Sequence, residues 1–343
     1  MTRMIWVFIV AGTLFSCIGT SKDETKSQEV NVYTHRHYPP DQELFAQFEE
    51  ANGIKVNIVN ASADELIQKM QLEGTASPAD VLITVDAGRL VRAKEKDLLQ
   101  PIQSPFLDSI IPSHLQDGDK QWFALTKRAR VIVYAKDRID PELLSTYEDL
   151  ASERWKQKLL IRSSSNIYNQ SLMASFIANL GEEKAKAWAE KIVANMARTP
   201  KGNDRDQVKA VVAGEGDLAI VNTYYVGRMI NSDDPVESAA GKGVGIYFPN
   251  QNDRGTHINI SGAGVAKYAP NRENAIRFIE FLASSAAQSV FAEANFEYPV
   301  NPNVKPAALL RQWGDFKEDN LNLSALGTNN KAAVLLFDEV GWQ

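Results

Sequence analysis

From position 30 onward, short apolar runs alternate with longer stretches in which apolar residues recur every three or four positions. Runs of the first kind read as strands and those of the second as amphipathic helices, the signature of a parallel α/β architecture. Strands are expected at 30–34, 56–60 and 79–84, followed by helices at 41–50, 63–74 and 87–98. Leu44, Phe45 and Phe48 share one face of the first helix. These elements make one doubly wound lobe. A second set, with strands at 130–135, 158–161 and 217–221 and helices at 170–180, 182–196 and 226–230, makes another. Strands at 244–248 and 257–266 follow, then one helix over 272–291. Gly255, Gly262 and Gly264 lie in or beside the 257–266 strand, which suits a segment crossing back to the first lobe. At 343 residues a single large sheet fits less well than two lobes. The expected division is 30–126 plus 256–300 for lobe one and 127–255 plus 301–343 for lobe two.

The first residues follow another rule. Arg3 precedes an apolar run over 4–15, and Ser16 and Cys17 close it, as in a secretory signal segment too short to span a bilayer comfortably. Leu14-Phe15-Ser16-Cys17 looks like a bacterial lipobox, so residues 1–17 are expected to be a signal peptide ending in a lipidated cysteine. The polar stretch 18–29 then serves as a flexible tether. The expected location is outside the cytoplasm, periplasmic or at the cell surface, with membrane contact only through the anchor. Cys17 is the one cysteine in the chain, so a mature metal site has only oxygen and nitrogen donors to draw on. A net charge of −6 speaks against nucleic acid, which demands concentrated Lys and Arg.

Three tyrosine-bearing segments occupy the same station, after an expected strand and before an expected helix. They are 34–41 with His37 and Tyr38, 162–169 with Tyr168, and 221–225 with Tyr224 and Tyr225. In open α/β sheets that station faces the ligand crevice. Neighbouring residues on a continuing strand point to opposite faces. At a helix start they differ by only about 100°, so Tyr224 and Tyr225 can serve one ligand there. Asn222 or Thr223 is expected to cap that helix, and its positive end to favour the phenolate form. A free phenol has a pKa of about 10, so only a strong, hard cation such as Fe(III) ionises several at neutral pH. Softer metals prefer thiolate and imidazole, and calcium prefers carboxylates. The phenols alone leave a ferric site and an aromatic-lined pocket for an organic ligand both open.

The same segments carry a resemblance. The His37-Tyr38 pair, the run over 161–172 and Asn222-Thr223-Tyr224-Tyr225, together with 126–131, 248–251 and 254–257, resemble the ferric-ion-binding proteins of ABC transporters over nearly all of 30–342. The resemblance implies a two-lobe periplasmic-binding-protein fold of type II, α/β in class. It also implies a monomer that is not an enzyme, capturing one Fe(III) ion for an ABC permease in the inner membrane. Carried over by motif from the branch that needs no bound anion, the ligands are His37, Tyr38, Tyr168, Tyr224 and Tyr225. Four phenolates leave the ion a net charge near −1, and Arg36, Arg128 and Arg130 are the expected counter-cations, since arginine stays protonated. Ile167 and Arg205 fall where other residues were expected.

The other tyrosines read as packing residues, and His35, His114 and His257 as structural. Gly262-Ala263-Gly264 lacks the Lys-Ser or Lys-Thr of a phosphate loop. The rival readings are a protein of this fold for a polyamine or organic anion and an exported hydrolase. The second needs an acid-base set that the loops do not supply.

Overall fold

A computed structural model describes residues 28–343; the signal segment, Cys17 and most of the tether lie outside the described residues. The chain runs β1 (Glu29–Thr34), α1 (Pro39–Asn52), β2 (Lys55–Asn60), α2 (Ala63–Glu73), β3 (Val81–Val85), α3 (Ala87–Glu95), β4 (Leu99–Gln100), α4 (Pro105–Ile110) and β5 (Phe123–Ala135). Next come β6 (Leu159–Leu160), α5 (Ile167–Leu180), α6 (Glu182–Asn195), α7 (Asp204–Val212), β7 (Leu218–Asn222), α8 (Thr223–Ile230), α9 (Pro235–Gly243) and β8 (Val244–Tyr247). The chain closes with β9 (Ile258–Ala266), α10 (Arg272–Ala283), α11 (Ser285–Asn295), β10 (Tyr298–Pro299), α12 (Ala308–Gln312), α13 (Ser324–Thr328) and α14 (Asn330–Val340). Among the described residues no helix is long and apolar enough to cross a membrane.

Hydrogen bonding runs without a break along β2-β1-β3-β9-β5-β7-β6. The sheet is a single curled one that runs through both halves, and β5 is the joint. Its first half pairs with β9 up to Ala129↔Ile258, and its second half pairs with β7 from Arg130↔Asn222 and with β8. The β1–β2, β1–β3 and β6–β7 pairs are parallel, as the alternation implies, while the strands that link the halves run antiparallel. Glycine in β9 answers to close packing: a Cβ on Gly264 would stand 2.5 Å from the Gln121 carbonyl oxygen, and one on Gly262 2.7 Å from that of Phe123.

Each half has its own aromatic packing. Phe45 and Phe48 of α1 meet the Phe278 ring of α10 at 5.2 and 5.0 Å, and Phe176 of α5 stacks on Trp188 of α6 at 4.1 Å. A buried Phe is worth about 2–3 kcal/mol. Two helix boundaries follow capping chemistry. Ser62 and Glu65 form a capping box at the start of α2, and Gly53 ends α1 at φ 64°. The expected helix over 272–291 is two helices, because Ser284 turns to ψ 156° and its hydroxyl caps α11. The expected strand at 130–135 extends back to Phe123.

Candidate metal centre

β7 is buried along its whole length and ends at Asn222, from which α8 starts. Tyr224 and Tyr225 fall in its first turn, as the sequence requires, with ring centroids 4.1 Å apart. The expected side-chain cap is absent. Asn222 Oδ1 instead accepts from Arg130 Nη1 at 3.2 Å, and Thr223 Oγ1 accepts from the Ala129 N–H at 3.3 Å. Both side chains tie the helix start to β5, leaving backbone N–H groups at the end that bears the phenols.

Tyr168 enters from a second helix N-terminus. Asn166 caps α5 by accepting from the Tyr168 N–H at 3.2 Å. Asn169 pins the preceding loop, donating to the Arg162 carbonyl at 2.7 Å and accepting from Arg130 Nη2 at 2.6 Å. The result brings the Tyr168 and Tyr224 hydroxyls within 3.4 Å of each other. Two helix ends thus converge three phenols on one spot.

Tyr38 comes from the first half, at the start of α1, where Pro39 follows it. Two guanidinium groups lie over its ring, Arg36 at 5.0 Å and Arg228 at 5.1 Å from the centroid. Arg228 belongs to α8, so Tyr38 meets the helix that carries Tyr224 and Tyr225. His37 is exposed; its ring stacks on Tyr38 at 5.4 Å, with Nδ1 3.4 Å from the His35 carbonyl.

The cations around the phenols are held, and Arg36, Arg128 and Arg130 are buried. Arg128, Arg130 and Arg162 stand 5.4, 5.9 and 5.9 Å from the Tyr168 ring centroid. The carboxylate of Asp204, itself fully buried, pairs with Arg130 at 3.3 Å and Arg162 at 3.1 Å, and accepts from the Asn222 N–H at 2.8 Å. Arg36 is gripped by Asp41 at 2.9 Å and Glu297 at 3.1 Å, and Arg128 bonds the Ile260 carbonyl at 2.7 Å and the Ser261 hydroxyl at 3.0 Å. The three arginines expected from the sequence all lie at the site. Arg162, Arg228, Asp204 and Glu297 were missed. Arg228, three residues past Tyr225 and hence on its helix face, had a local signal; Asp204 and Glu297 had none.

Burial acts on the phenols against the helix ends. The helix ends were expected to favour phenolate, yet burial pushes the Tyr224 phenol well above its usual range, with Tyr168, Tyr225 and Tyr38 adding to the rise. Burial likewise raises Tyr225, helped by Tyr168 and Asp204, and raises Tyr38, helped by Glu297 and Tyr168. All three phenols therefore favour the protonated form more than a free tyrosine does. Among the described residues no group of three or more His, Cys, Asp or Glu side chains is placed to hold a metal.

Residues 33–289 match the bacterial extracellular solute-binding proteins. The chain belongs to that family. Among its relatives within the family, iron uptake protein A1 of Synechocystis sp. is 48% identical over 341 residues, spanning 98% of this chain and 95% of that one. The fold is that of two-lobe periplasmic binding proteins. A Trichodesmium structure, IdiA or FutA in complex with iron and citrate ligands, superposes with a TM-score of 0.90 at 51% identity, over 92% of this chain and all of that one. The ferric binding protein from Campylobacter jejuni gives 0.86 at 45% identity over 92% of this chain.

Proposed function

We propose that this solute-binding protein captures one Fe(III) ion between its lobes and delivers it to the permease of an ABC transporter for iron uptake. The ligands are Tyr168, Tyr224 and Tyr225 from lobe two and His37 and Tyr38 from lobe one. The observation that carries the assignment is the meeting of phenols at two helix N-termini among buried arginines, with the Tyr168 and Tyr224 hydroxyls 3.4 Å apart. Hard anionic oxygen suits a trivalent cation. The guanidinium groups offset the surplus negative charge of the phenolates without competing as ligands. The iron-related names of its relatives point the same way.

The lobes are assigned to 30–126 plus 256–300 and 127–255 plus 301–343. The change of β5 partners between Ala129 and Arg130, three residues past the assigned 126/127 division, supports a boundary within β5, and the packing of Ala333, Leu336, Phe337 and Trp342 with Phe176 and Trp188 supports placing the C-terminus with lobe two. Hinge closure at that boundary brings His37 and Tyr38 onto an ion seated on lobe two. The protein works outside the cytoplasm as a transport component rather than an enzyme, as a monomer, anchored through a lipid on Cys17 and partnered with an inner-membrane permease. Metal analysis and a visible spectrum of protein purified without chelator test the reading: one iron per chain with a tyrosinate-to-iron band is expected. A colourless protein that carries an organic ligand instead would overturn it.

A further inference from the structure

Asp86 stands where β3 gives way to α3, and its side chain is fully buried. Its backbone sits at φ 79° and ψ 123°, a region that favours glycine. A glycine would take that backbone without strain, so what the position presents is the carboxylate. Gly88 N–H donates to Oδ1 at 2.8 Å and Asn259 Nδ2 to Oδ2 at 2.8 Å. The Asp86 N–H donates to the Ile260 carbonyl at 2.8 Å, and Asn259 Oδ1 is itself fixed by the Ala87 N–H at 3.0 Å. These partners all lie on α3 and β9, beside β3, which makes the carboxylate a rigid part of the first half.

One donor comes from elsewhere. The hydroxyl of Ser171, also fully buried, lies 2.9 Å from Oδ1 and 2.7 Å from Oδ2 of Asp86. Ser171 is on α5, three residues beyond Tyr168 and on the same helical face. Any displacement of the Tyr168 helix relative to β3 strains this bond.

We infer that Asp86 is a positioning residue for metal capture: by holding Ser171 it fixes where Tyr168 stands relative to Tyr38 of the opposite lobe. The inference rests on the iron-site reading. A hydrogen bond to a charged group, formed where water is excluded, is strong enough for its loss to change metal retention about 10- to 100-fold.

The test uses the full chain loaded with Fe(III) and challenged with excess EDTA, following decay of the visible band. Ser171→Ala is expected to release iron about 10- to 100-fold faster than the unaltered protein. The band maximum should stay unshifted, because every phenol remains. Asp86→Asn keeps an acceptor oxygen and tolerates positive φ, so it should release at an intermediate rate, and it serves alone if Ser171→Ala does not fold. Because the two residues act as a pair, the double variant should release iron within about two-fold of Ser171→Ala. Release by Ser171→Ala and Asp86→Asn at the unaltered rate overturns the inference while leaving the iron site standing. Absence of any band in the unaltered protein overturns the iron site, and the inference with it.

Discussion

The Tyr168 and Tyr224 hydroxyls lie 3.4 Å apart although the residues are 56 positions apart in sequence. Each is in the first turn of a helix that starts where a β-strand or its following loop ends. Tyr225 and Tyr38 border the same space, since both act electrostatically on the Tyr224 phenol.

Tyr224→Phe removes one donor and leaves the ring packing in place. Iron affinity should drop by more than about 100-fold, since residues that merely orient a metal ligand are already worth 10- to 100-fold. Competition with a chelator, read alongside the visible band, measures it. Retained iron with an unchanged band would remove Tyr224 from the ligand set.

Iron binding should weaken as the medium acidifies. Tyr38, Tyr224 and Tyr225 have pKa values raised mainly by burial, so each enters the metal shell by losing a proton that it otherwise keeps at neutral pH. Affinity should therefore fall by at least about one order of magnitude per pH unit between pH 7 and 5. Chelator titrations at several pH values report the slope, and a flat profile would exclude phenolate ligands.

His257 sets a second pH dependence, this one in folding. Burial, then the nearby Arg130, Arg254 and Arg128, lowers its pKa to about 3. The unfolded chain, with an ordinary histidine near 6.5, binds more protons across the window between those values. Stability from this residue is complete above about pH 6.5 and declines toward pH 3, by roughly 1.4 kcal/mol per unit at most. In metal-free protein, His257→Gln should flatten the slope of urea-derived stability between pH 6.5 and 4. An unchanged slope would show that His257 is not buried in neutral form.

The Arg36 clamp should be costly to break. Glu297 lies at 3.1 Å from Arg36 and 3.6 Å from Arg128, all three buried. Glu297→Gln leaves two buried cations short of a carboxylate, an effect of about 3 kcal/mol. Urea unfolding of the metal-free protein checks it, and a change below about 0.5 kcal/mol would mean that Asp41 alone satisfies the charge.

Much of this was legible because the signals are local. Alternation marks the strands, and Asn222-Thr223-Tyr224-Tyr225 directly after a buried apolar run places two phenols at a helix start. What escaped depends on distant partners. The expected strand began only at 130, yet residues 123–129 extend it as a mostly buried segment in which Arg128 is satisfied by Ile260 and Ser261, more than 130 positions away. The break at Ser284 has no Gly or Pro to announce it. α7 and α9 are short, and the boundary marker of α7, the Asn203–Asp206 capping box, is weaker than an apolar stripe. The raised phenol pKa values follow from burial, which only the assembled fold reveals.

β9 lies between β3 and β5, so a strand from late in the chain completes a sheet begun at the start. Until residue 266 has left the ribosome, β3 and β5 have nothing between them to pair with. Synthesis must therefore run through more than three quarters of the polypeptide before its earliest strands can close their sheet. For a chain bound for export, that delay leaves most of its length available to the secretion machinery in threadable form.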